Sequence, residues 1–362
     1  MTTDSVTTEA AVMPRGLAAG LGSYILPGAA HDPRAGLDEA VAAERMGLGA
    51  VWIGERYDTK DLPALASAVG QVTGHVRIGA AVTHPYLRHP MVLASMGQTL
   101  QSLTGERFRL GFGRSAMWRW RAYGAPAPTL RSLRDLADIL HRLWAGETVA
   151  YEGALGTFPR LRLPVVLPLA PPPLLLAAVG PKTLELAGRA FDGVILHPLL
   201  TPEAVGRSAK LLRDSAEKSG RDPDAVRCIA TVLVAPGVGK ADEDEAIRAR
   251  SAGYLSVAGL GDAIAAANHW SADDLARYRH QQVLVDLDGQ PADKQLSRRQ
   301  LVELCAGMPA DWLPSGAVMG DIVSSARRLT EYVDAGADEI ILHGVVGAKL
   351  GPLMRHIRRA GV

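Results

Sequence analysis

The chain has little cysteine and no excess charge of either sign, and both shortages exclude classes of protein. Only two cysteines occur in 362 residues, Cys228 and Cys305, and no CxxC pair is present. We therefore expect two buried free thiols in a reducing compartment and no disulfide framework. The 39 basic and 38 acidic side chains almost cancel, so the charge balance gives no reason to expect a nucleic-acid or anionic-membrane partner.

Signals for export and for membrane insertion are also missing. Residues 1–13 contain Asp4 and Glu9 and lack the basic start of a signal peptide. The longest apolar run, residues 161–179, is interrupted by prolines, which a membrane helix tolerates poorly. We expect a cytoplasmic protein without membrane contact, with a disordered N-terminal segment at 1–16 and a single domain over 17–362.

Several catalytic motifs do not occur. There is no HExxH and no cluster of His, Cys and Asp at metal-ligand spacing, so we predict no metal site. GxSxG and the P-loop are absent too, and no GxGxxG follows the first predicted strand. These absences leave a bound cofactor as the natural source of any redox chemistry. The residues around the predicted strand ends are mostly apolar, which suits such a cofactor.

What the sequence does contain is a repeated strand-then-helix order. Eight short apolar segments, each followed by a helical pattern, are predicted as strands: 17–26, 50–53, 76–82, 108–112, 174–179, 193–196, 226–234 and 339–342. This order implies an all-parallel α/β sheet, and eight units favour a closed (β/α)8 TIM barrel over an open doubly wound sheet. Residues 146–160 are interpreted as a loop, and 242–305 as a mainly helical insertion before the last strand.

Polar residues follow the second and third predicted strands, where parallel-sheet enzymes bind their ligands. Glu55 and Arg56 could orient a substrate or stabilise an anion, or they could form an internal ion pair at the top of the barrel. His84 is a candidate proton donor because histidine changes charge near neutral pH. The alternative for His84 is a solvated loop histidine.

Two glycine-containing turns follow the fourth and fifth predicted strands. Gly113 allows a ligand to approach the backbone, and the adjacent Arg114 can hold a phosphate or carboxylate. Gly180 leads directly into a helix, whose free amides can bind phosphate, although a plain tight turn is the alternative. His197, at the end of the sixth strand, could face the same ligand.

Five stretches of the sequence together resemble a known family. They are VWIGERYD, RIGAAVTHPYLRHP, LTGERFRLGFGRS, LLLAAVGPKTLELAGRAFDGVILH and YVDAGADEIILHG. They are similar to the luciferase-like monooxygenase superfamily, and specifically to its branch that uses coenzyme F420, a deazaflavin hydride carrier. The likeness begins near Leu17 and is least clear between Ala241 and Met319. It implies a (β/α)8 barrel with insertions and a homodimer.

The resemblance also implies which residues bind the cofactor. In the family, a bulge after the third strand, often with a non-prolyl cis peptide, supports the cofactor ring. Ala81 and Val82, or the neighbouring Ala80, occupy that place here, and Thr83 is also predicted to bind the cofactor. The turn that holds the cofactor phosphate corresponds to Ala178, Val179 and Gly180. The loop beside cofactor and substrate corresponds to Gly113, Arg114 and Ser115.

The sequence departs from the family pattern on the substrate side. Sugar-phosphate dehydrogenases of this branch have Asp-His after the second strand, where this chain has Glu55 and Arg56. Their acidic residue after the fourth strand corresponds to Ala116, and their phosphate-binding lysine to the region of Leu200. Sugar-phosphate oxidation is therefore not transferred to this chain. Arg56 cannot act as a base at neutral pH, but it could stabilise an oxyanion.

The resulting hypothesis is an F420-dependent oxidoreductase. It would transfer hydride between the deazaflavin and a small organic substrate, with Arg56, Glu55 and His84 on the substrate side. Two alternatives stay open, an FMN-dependent monooxygenase of the same superfamily and a non-catalytic barrel that binds a flavin or deazaflavin.

Overall fold

The structure is a computed structural model that describes residues 17–28, 31–57, 59–114 and 121–360. The N-terminal segment expected to be disordered and the predicted site residue Ser115 lie outside the described residues. The strands are β1 (Leu21–Tyr24), β2 (Ala50–Ile53), β3 (Arg77–Ala80), β4 (Phe108–Phe112), β5 (Val149–Gly153), β6 (Gly156–Leu161), β7 (Leu174–Ala178), β8 (Gly193–Leu196), β9 (Arg227–Pro236), β10 (Ala317–Gly320) and β11 (Glu339–Gly344).

Eight of these strands close into the predicted parallel barrel, in the order β1, β2, β3, β4, β7, β8, β9, β11. β11 pairs with β1, with Ile340 opposite Leu21, and this pairing completes the ring. β10, which the sequence analysis did not predict, pairs in parallel with the last residues of β9. The loop expected at 146–160 is instead an antiparallel hairpin of β5 and β6, in which the Tyr151 and Phe158 rings stack.

The helices that cover the barrel begin where local sequence satisfies their first amides. Asp61 accepts from the amide of Ala64, Thr129 exchanges hydrogen bonds with Ser132, and Thr201 accepts from the amide of Ala204. The helices are Leu17–Gly20, where a strand was expected, Ala35–Arg45, Leu62–Val72, Pro90–Thr104, Leu130–Trp144, Pro181–Ala190, Pro202–Glu217, Ile322–Asp334 and Gly351–Ala360.

Side chains along each barrel strand point alternately outward and inward. On β11, Ile340 and Leu342 join the core between strands and helices, while Ile341 joins the core inside the barrel. The inner core consists of Ala50, Trp52, Ala81, Leu175, Ile195, Ile229 and Ile341. Below it, Glu339 pairs with Arg109 at 2.7 Å and with Arg77 at 3.2 Å. The same alternation directs His343 inward at the C-terminal end.

The predicted helical insertion lies between β9 and β10. Its helical segments are Lys240–Glu243, Asp244–Ala249, Arg250–Ser256, Leu260–Asn268, Ala272–Arg279, Gln282–Val285, Ala292–Gln295, Arg298–Leu304, Cys305–Gly307 and Trp312–Gly316. Asp244–Ala249 packs against β9 and β11, so the insertion reaches the C-terminal end of the barrel. Within the described residues, no helix combines the length and the hydrophobicity that crossing a membrane requires.

Both cysteines are buried and unpaired, as the sequence predicted. Burial is the main cause that raises the pKa of Cys228 to about 12 and that of Cys305 to about 11. Neither thiol is ionised at neutral pH, and thiols in this state are poor nucleophiles. The described residues also contain no group of three or more His, Cys, Asp or Glu side chains that could hold a metal ion.

Candidate functional site at the barrel mouth

The mouth, meaning the end of the barrel formed by the C-terminal ends of its strands, has an irregular third strand. The Ala81 amide donates to the Ile53 carbonyl on β2 at 2.9 Å, whereas the Thr83 amide donates to Gly111 on β4 at 2.8 Å. Between them, the peptide bond joining Ala81 to Val82 is cis. This is the position where the family resemblance implied a non-prolyl cis peptide.

One side of the mouth is lined by backbone and small side chains. A Cβ atom on Gly113 would lie 2.4 Å from Cγ2 of Val82, and one on Gly54 would lie 3.4 Å from the Ala81 carbonyl oxygen. The hydroxyl of Tyr24 donates to that same carbonyl at 3.1 Å. We call Gly54, Ala81, Val82 and Gly113 the small-residue side, since the close approach of Val82 and of the Ala81 carbonyl leaves little space for a side chain at either glycine.

The other side of the mouth carries hydroxyl and imidazole groups. The Tyr254 hydroxyl, from the insertion, lies 2.9 Å from Nε2 of His343. The His343 ring lies edge-on to Tyr24 at 4.9 Å, and the His197 ring edge-on to Tyr254 at 4.8 Å. We call Tyr24, His197, Tyr254 and His343 the polar side.

All four polar-side groups are uncharged at neutral pH. Burial lowers the pKa of His197 to about 4, and burial, Arg250, His197 and Arg56 together hold the pKa of His343 well below its usual range. Burial raises the pKa of Tyr24 and of Tyr254, although Arg250 opposes both shifts. The Tyr254–His343 pair therefore holds a phenolic proton and a neutral imidazole in direct hydrogen-bond contact.

Glu55 lies at the mouth, but it faces Arg88 and not its neighbour Arg56. The two nitrogens of Arg88 bind the two oxygens of Glu55, each at 2.6 Å, and the Thr83 hydroxyl donates to the same carboxylate. Arg88 also contacts Asp61 at 3.0 Å and lies over the Tyr57 ring. The sequence suggested an ion pair between Glu55 and Arg56, whereas the structure pairs Glu55 with Arg88.

His84 is buried, not solvated, with 5% of its surface exposed. Its Nδ1 accepts from the Tyr86 amide at 3.2 Å, so a neutral ring carries its proton on Nε2. Burial lowers the pKa of His84 to about 4 despite the charge of Glu55. Nε2 is buried and has no hydrogen-bond partner among the described residues, which makes it a proton-bearing group available to a ligand.

Arg56 is presented by a tight turn, in which the amides of Thr59 and Lys60 both donate to the Arg56 carbonyl at 2.9 Å. No described residue forms a hydrogen bond or an ion pair with its guanidinium. The positive charge of Arg56 contributes to lowering the pKa of Tyr254 and of His343, so Arg56 influences the polar side electrostatically. The structure thus separates the predicted catalytic residues: Glu55 is bound by Arg88 and Thr83, next to His84, and Arg56 takes no part in that ion pair.

The predicted phosphate turn directly precedes a helix N-terminus. Ala178 ends β7, Val179 and Gly180 are half-buried, and the helix Pro181–Ala190 has no side-chain cap at Gly180. Among the described residues beyond its two chain neighbours, no atom would lie within 4 Å of a Cβ on Gly180, so none of them fills this side of the turn. Arg114 is exposed at the end of the neighbouring β4. Amides at an uncapped helix start suit an anionic group.

Sequence reasoning missed three of the polar-side residues, Tyr24, Tyr254 and His343. The inward alternation of Glu339, Ile341 and His343 was a usable signal, because it places a polar ring at the C-terminal end of the last strand. Tyr254 had no such signal, since it belongs to the insertion. The mouth as a whole fits a flat, anionic cofactor, with small residues on one side and an uncapped helix start beside it.

Comparison with known proteins places the chain in a family. The sequence profile of the luciferase-like monooxygenases matches residues 13–339. The chain belongs to the luciferase-like monooxygenase family.

The individual relatives have low sequence identity to this chain. The 5,10-methylenetetrahydromethanopterin reductase of Methanolobus tindarius is 26% identical over 318 residues, which cover 86% of this chain and 90% of the relative. The F420-dependent glucose-6-phosphate dehydrogenase of Nakamurella multipartita is 32% identical over 211 residues, which cover 54% of this chain and 62% of the relative. The structure of the coenzyme F420 dependent tetrahydromethanopterin reductase from Methanopyrus kandleri has the same fold, with a TM-score of 0.71 and 19% sequence identity. The match covers 94% of this chain and 97% of that structure.

Proposed function

We propose that this protein is an F420-dependent oxidoreductase that transfers hydride between the deazaflavin and a small organic substrate. The observation that carries the proposal is the two-sided mouth. A small-residue side, where Gly113 and Gly54 pack closely against Val82 and the Ala81 carbonyl, accompanies a polar side where Tyr254 and His343 share a hydrogen bond. The F420-dependent glucose-6-phosphate dehydrogenase of Nakamurella multipartita supports the choice of cofactor.

Ala81, Val82 and Thr83, together with Gly113, Arg114 and Ser115, would hold the cofactor ring. Ala178, Val179 and Gly180 would hold its phosphate at the helix start. When bound, F420 supplies the hydride chemistry, which the protein side chains cannot provide.

The remaining chemistry falls to side chains of the protein. Reduction of a carbonyl to an alcohol adds one hydride to carbon and one proton to oxygen. The Tyr254 hydroxyl, hydrogen-bonded to His343, is suited to giving or taking that proton. Arg56 would stabilise negative charge on the substrate oxygen, and the Nε2 proton of His84 offers a second donor. Glu55, held by Arg88, would act by keeping Thr83 and the bulge in place.

Binding of F420 and FMN to the purified protein, followed by fluorescence quenching, tests the cofactor. We expect F420 to bind in the micromolar range or tighter and FMN not to bind. Tight binding of FMN alone would change the function to that of a flavin monooxygenase. Binding of neither would mean that these strand-end turns are not a cofactor site.

The non-catalytic alternative is tested by turnover. Reduced F420 should be oxidised with at least one carbonyl compound from a substrate screen. Tyr254→Phe should lower kcat by about 100-fold, the range usual for loss of a general acid, and leave F420 affinity unchanged. Absence of turnover with every compound, at full F420 binding, would favour a non-catalytic binding protein.

We further propose a cytoplasmic homodimer whose single domain spans residues 17–362. A groove of about 420 Å³ between Leu62–Val72 and Pro90–Thr104 supports the dimer. It is lined partly by Met91, Val92 and Met96, and the exposed Val92 would be covered by a second copy. Light scattering after size exclusion should give twice the chain mass of 38.3 kDa. The Val92→Glu variant should instead have the mass of a single chain.

A further inference from the structure

Two arginines at the mouth have no carboxylate partner among the described residues. Arg56 follows β2, and Arg250 begins the insertion helix Arg250–Ser256. Tyr254 is one helical turn after Arg250, so the two side chains occupy the same helix face. Nε of Arg250 is buried and, within the described part of the chain, has no hydrogen-bond partner. A buried donor left unpaired is costly unless a ligand satisfies it.

The two arginines act on the same groups. Arg56 follows β2, the neighbour of β1 with Tyr24, and Arg250 precedes Tyr254 by one helical turn, so both belong to this part of the mouth. In agreement with this placement, both charges lower the pKa of Tyr254 and of His343. Burial lowers the pKa of Arg250 itself, and the positive charges of Arg298 and Arg56 add to that shift. Groups perturbed by burial and by like charges are typical of functional sites.

Neighbouring charges do not neutralise this region. Lys60 is buried, and its ammonium donates to the carbonyls of Leu26 and Gly28, not to a carboxylate. Glu245 and Asp293 are in electrostatic range of Arg250 and Tyr254 respectively, yet neither forms an ion pair with Arg56 or Arg250. Glu245 lies 3.8 Å from Arg298 instead. The described charges around the polar side are therefore mainly positive.

We propose that Arg56 and Arg250 form an anion site that holds the carboxylate or phosphate of the substrate beside the Tyr254–His343 pair. The planar guanidinium fork matches both groups, and both arginines are half-buried, which strengthens the interaction relative to a fully exposed pair. Arg56 follows β2, which is three strands away from β7, the strand before the helix start at Pro181–Ala190. That the bound anion belongs to the substrate rests on the proposed function, whereas the site itself does not. The substrate is then an organic acid or phosphate ester.

The test measures binding of malonate and inorganic phosphate to the cofactor-free protein by calorimetry, with neutral malonamide as comparison. We expect Arg250→Gln and Arg56→Gln each to weaken anion binding tenfold or more. Arg250→Lys, which keeps the charge but loses the fork, should recover part of the affinity. The matched control is Arg248→Gln, from the same segment, whose guanidinium pairs with Asp244 at 2.9 Å. This control should stay within twofold of the unmodified protein.

F420 binding to the same variants distinguishes the existence of the anion site from the assignment of its anion to the substrate. Loss of malonate binding with unchanged F420 affinity in Arg250→Gln supports a substrate anion site. Equal losses of malonate and F420 would show that the anion is the cofactor's phosphate and would overturn the substrate assignment. Malonate binding without any F420 binding would keep the site but reject the proposed function. No malonate binding to the unmodified protein, or equal losses in Arg250→Gln and Arg248→Gln, would overturn the site.

Discussion

Arg88 binds both carboxylate oxygens of Glu55 at 2.6 Å, where the Glu55 side chain is 1% exposed and that of Arg88 12%. Arg88→Met would leave a buried carboxylate without a cation, facing only the Thr83 hydroxyl and, at 3.4 Å, the Leu62 amide. Breaking a buried pair in this way costs about 3–5 kcal/mol. We expect a loss of this size in the free energy of unfolding, measured by urea denaturation.

The matched control is Arg142→Met, which breaks the pair of Arg142 with Glu147, whose side chains are 38% and 51% exposed. An exposed pair contributes below about 1 kcal/mol. Replacing both buried partners, as Glu55→Leu with Arg88→Met, should cost less than Arg88→Met alone because no unpaired charge remains. Similar losses for Arg88→Met and Arg142→Met would contradict a stabilising role for the buried pair.

Burial of neutral histidines should make the protein sensitive to mild acid. His84 and His197 each have a pKa of about 4 in the folded protein, against 6.5 as the ordinary value. The unfolded chain therefore binds more protons between pH 4 and 6.5, and stability falls as the pH is lowered through that range. Each histidine should remove about 2 kcal/mol of unfolding free energy between pH 7.5 and pH 5.

Urea denaturation at the two pH values checks this effect. Asn can replace the hydrogen bond of Nδ1 without titrating, so His84→Asn and His197→Asn should each show a smaller loss between pH 7.5 and 5 than the unmodified protein. The readout is the difference between pH values, which is insensitive to a uniform destabilisation. An unchanged pH dependence in both variants would mean that these histidines titrate normally in the folded state.

The sequence was sufficient to predict the barrel because its signals are local and repeated. Apolar strands such as Ala50–Ile53 and capped helices such as Leu62–Val72 each follow from a few adjacent residues. The hairpin at Val149–Leu161 was missed because its glycines resemble a loop, yet Gly156, with a φ of +124°, permits a tight two-residue turn.

The site was less accessible to sequence reasoning, because its pairs join distant parts of the chain. Glu55 was considered with its neighbour Arg56, but its partner is Arg88, on the next βα connection. Tyr254 reaches His343 across 89 positions from an insertion without any motif. Periodicity indicates which residues point into the barrel, but not which of them meet.

Gly180 offers a test of the phosphate turn that separates binding from folding. Its φ of −82° and ψ of 156° suit any residue, and an added Cβ would meet no atom of the described part of the chain within 4 Å beyond its two neighbours. Gly180→Ala should therefore change the unfolding free energy by less than about 0.5 kcal/mol. The new methyl group would occupy space needed by the cofactor phosphate, so F420 affinity should fall about tenfold.

The matched control is Gly239→Ala, at the start of the short helix Lys240–Glu243. Gly239 has a φ of −67° and a ψ of 159°, and its Cβ space is equally open. Both the stability and the F420 affinity of this variant should match those of the unmodified protein. If Gly180→Ala also binds F420 normally, the phosphate is held elsewhere.

The insertion is joined to the barrel through Asn268. Its amide nitrogen donates to the Leu199 carbonyl at 2.8 Å, and its oxygen accepts from the Thr201 amide at 2.9 Å. Asn268→Leu would leave both backbone groups buried and unpaired, at a cost of about 2–4 kcal/mol. Because the insertion also carries Tyr254, the same variant should lower kcat, whereas F420 affinity should change little.

Gln98 provides the comparison for Asn268, since it makes the same two kinds of hydrogen bond at the outer surface. Its side chain donates to Val165 and accepts from the Leu167 amide, both at 3.3 Å. Water can replace these bonds, so Gln98→Leu should cost below about 1 kcal/mol and leave kcat unchanged. If Asn268→Leu were equally mild in both measurements, the insertion would be positioned by its apolar packing, and Tyr254 would reach the mouth without this polar anchor.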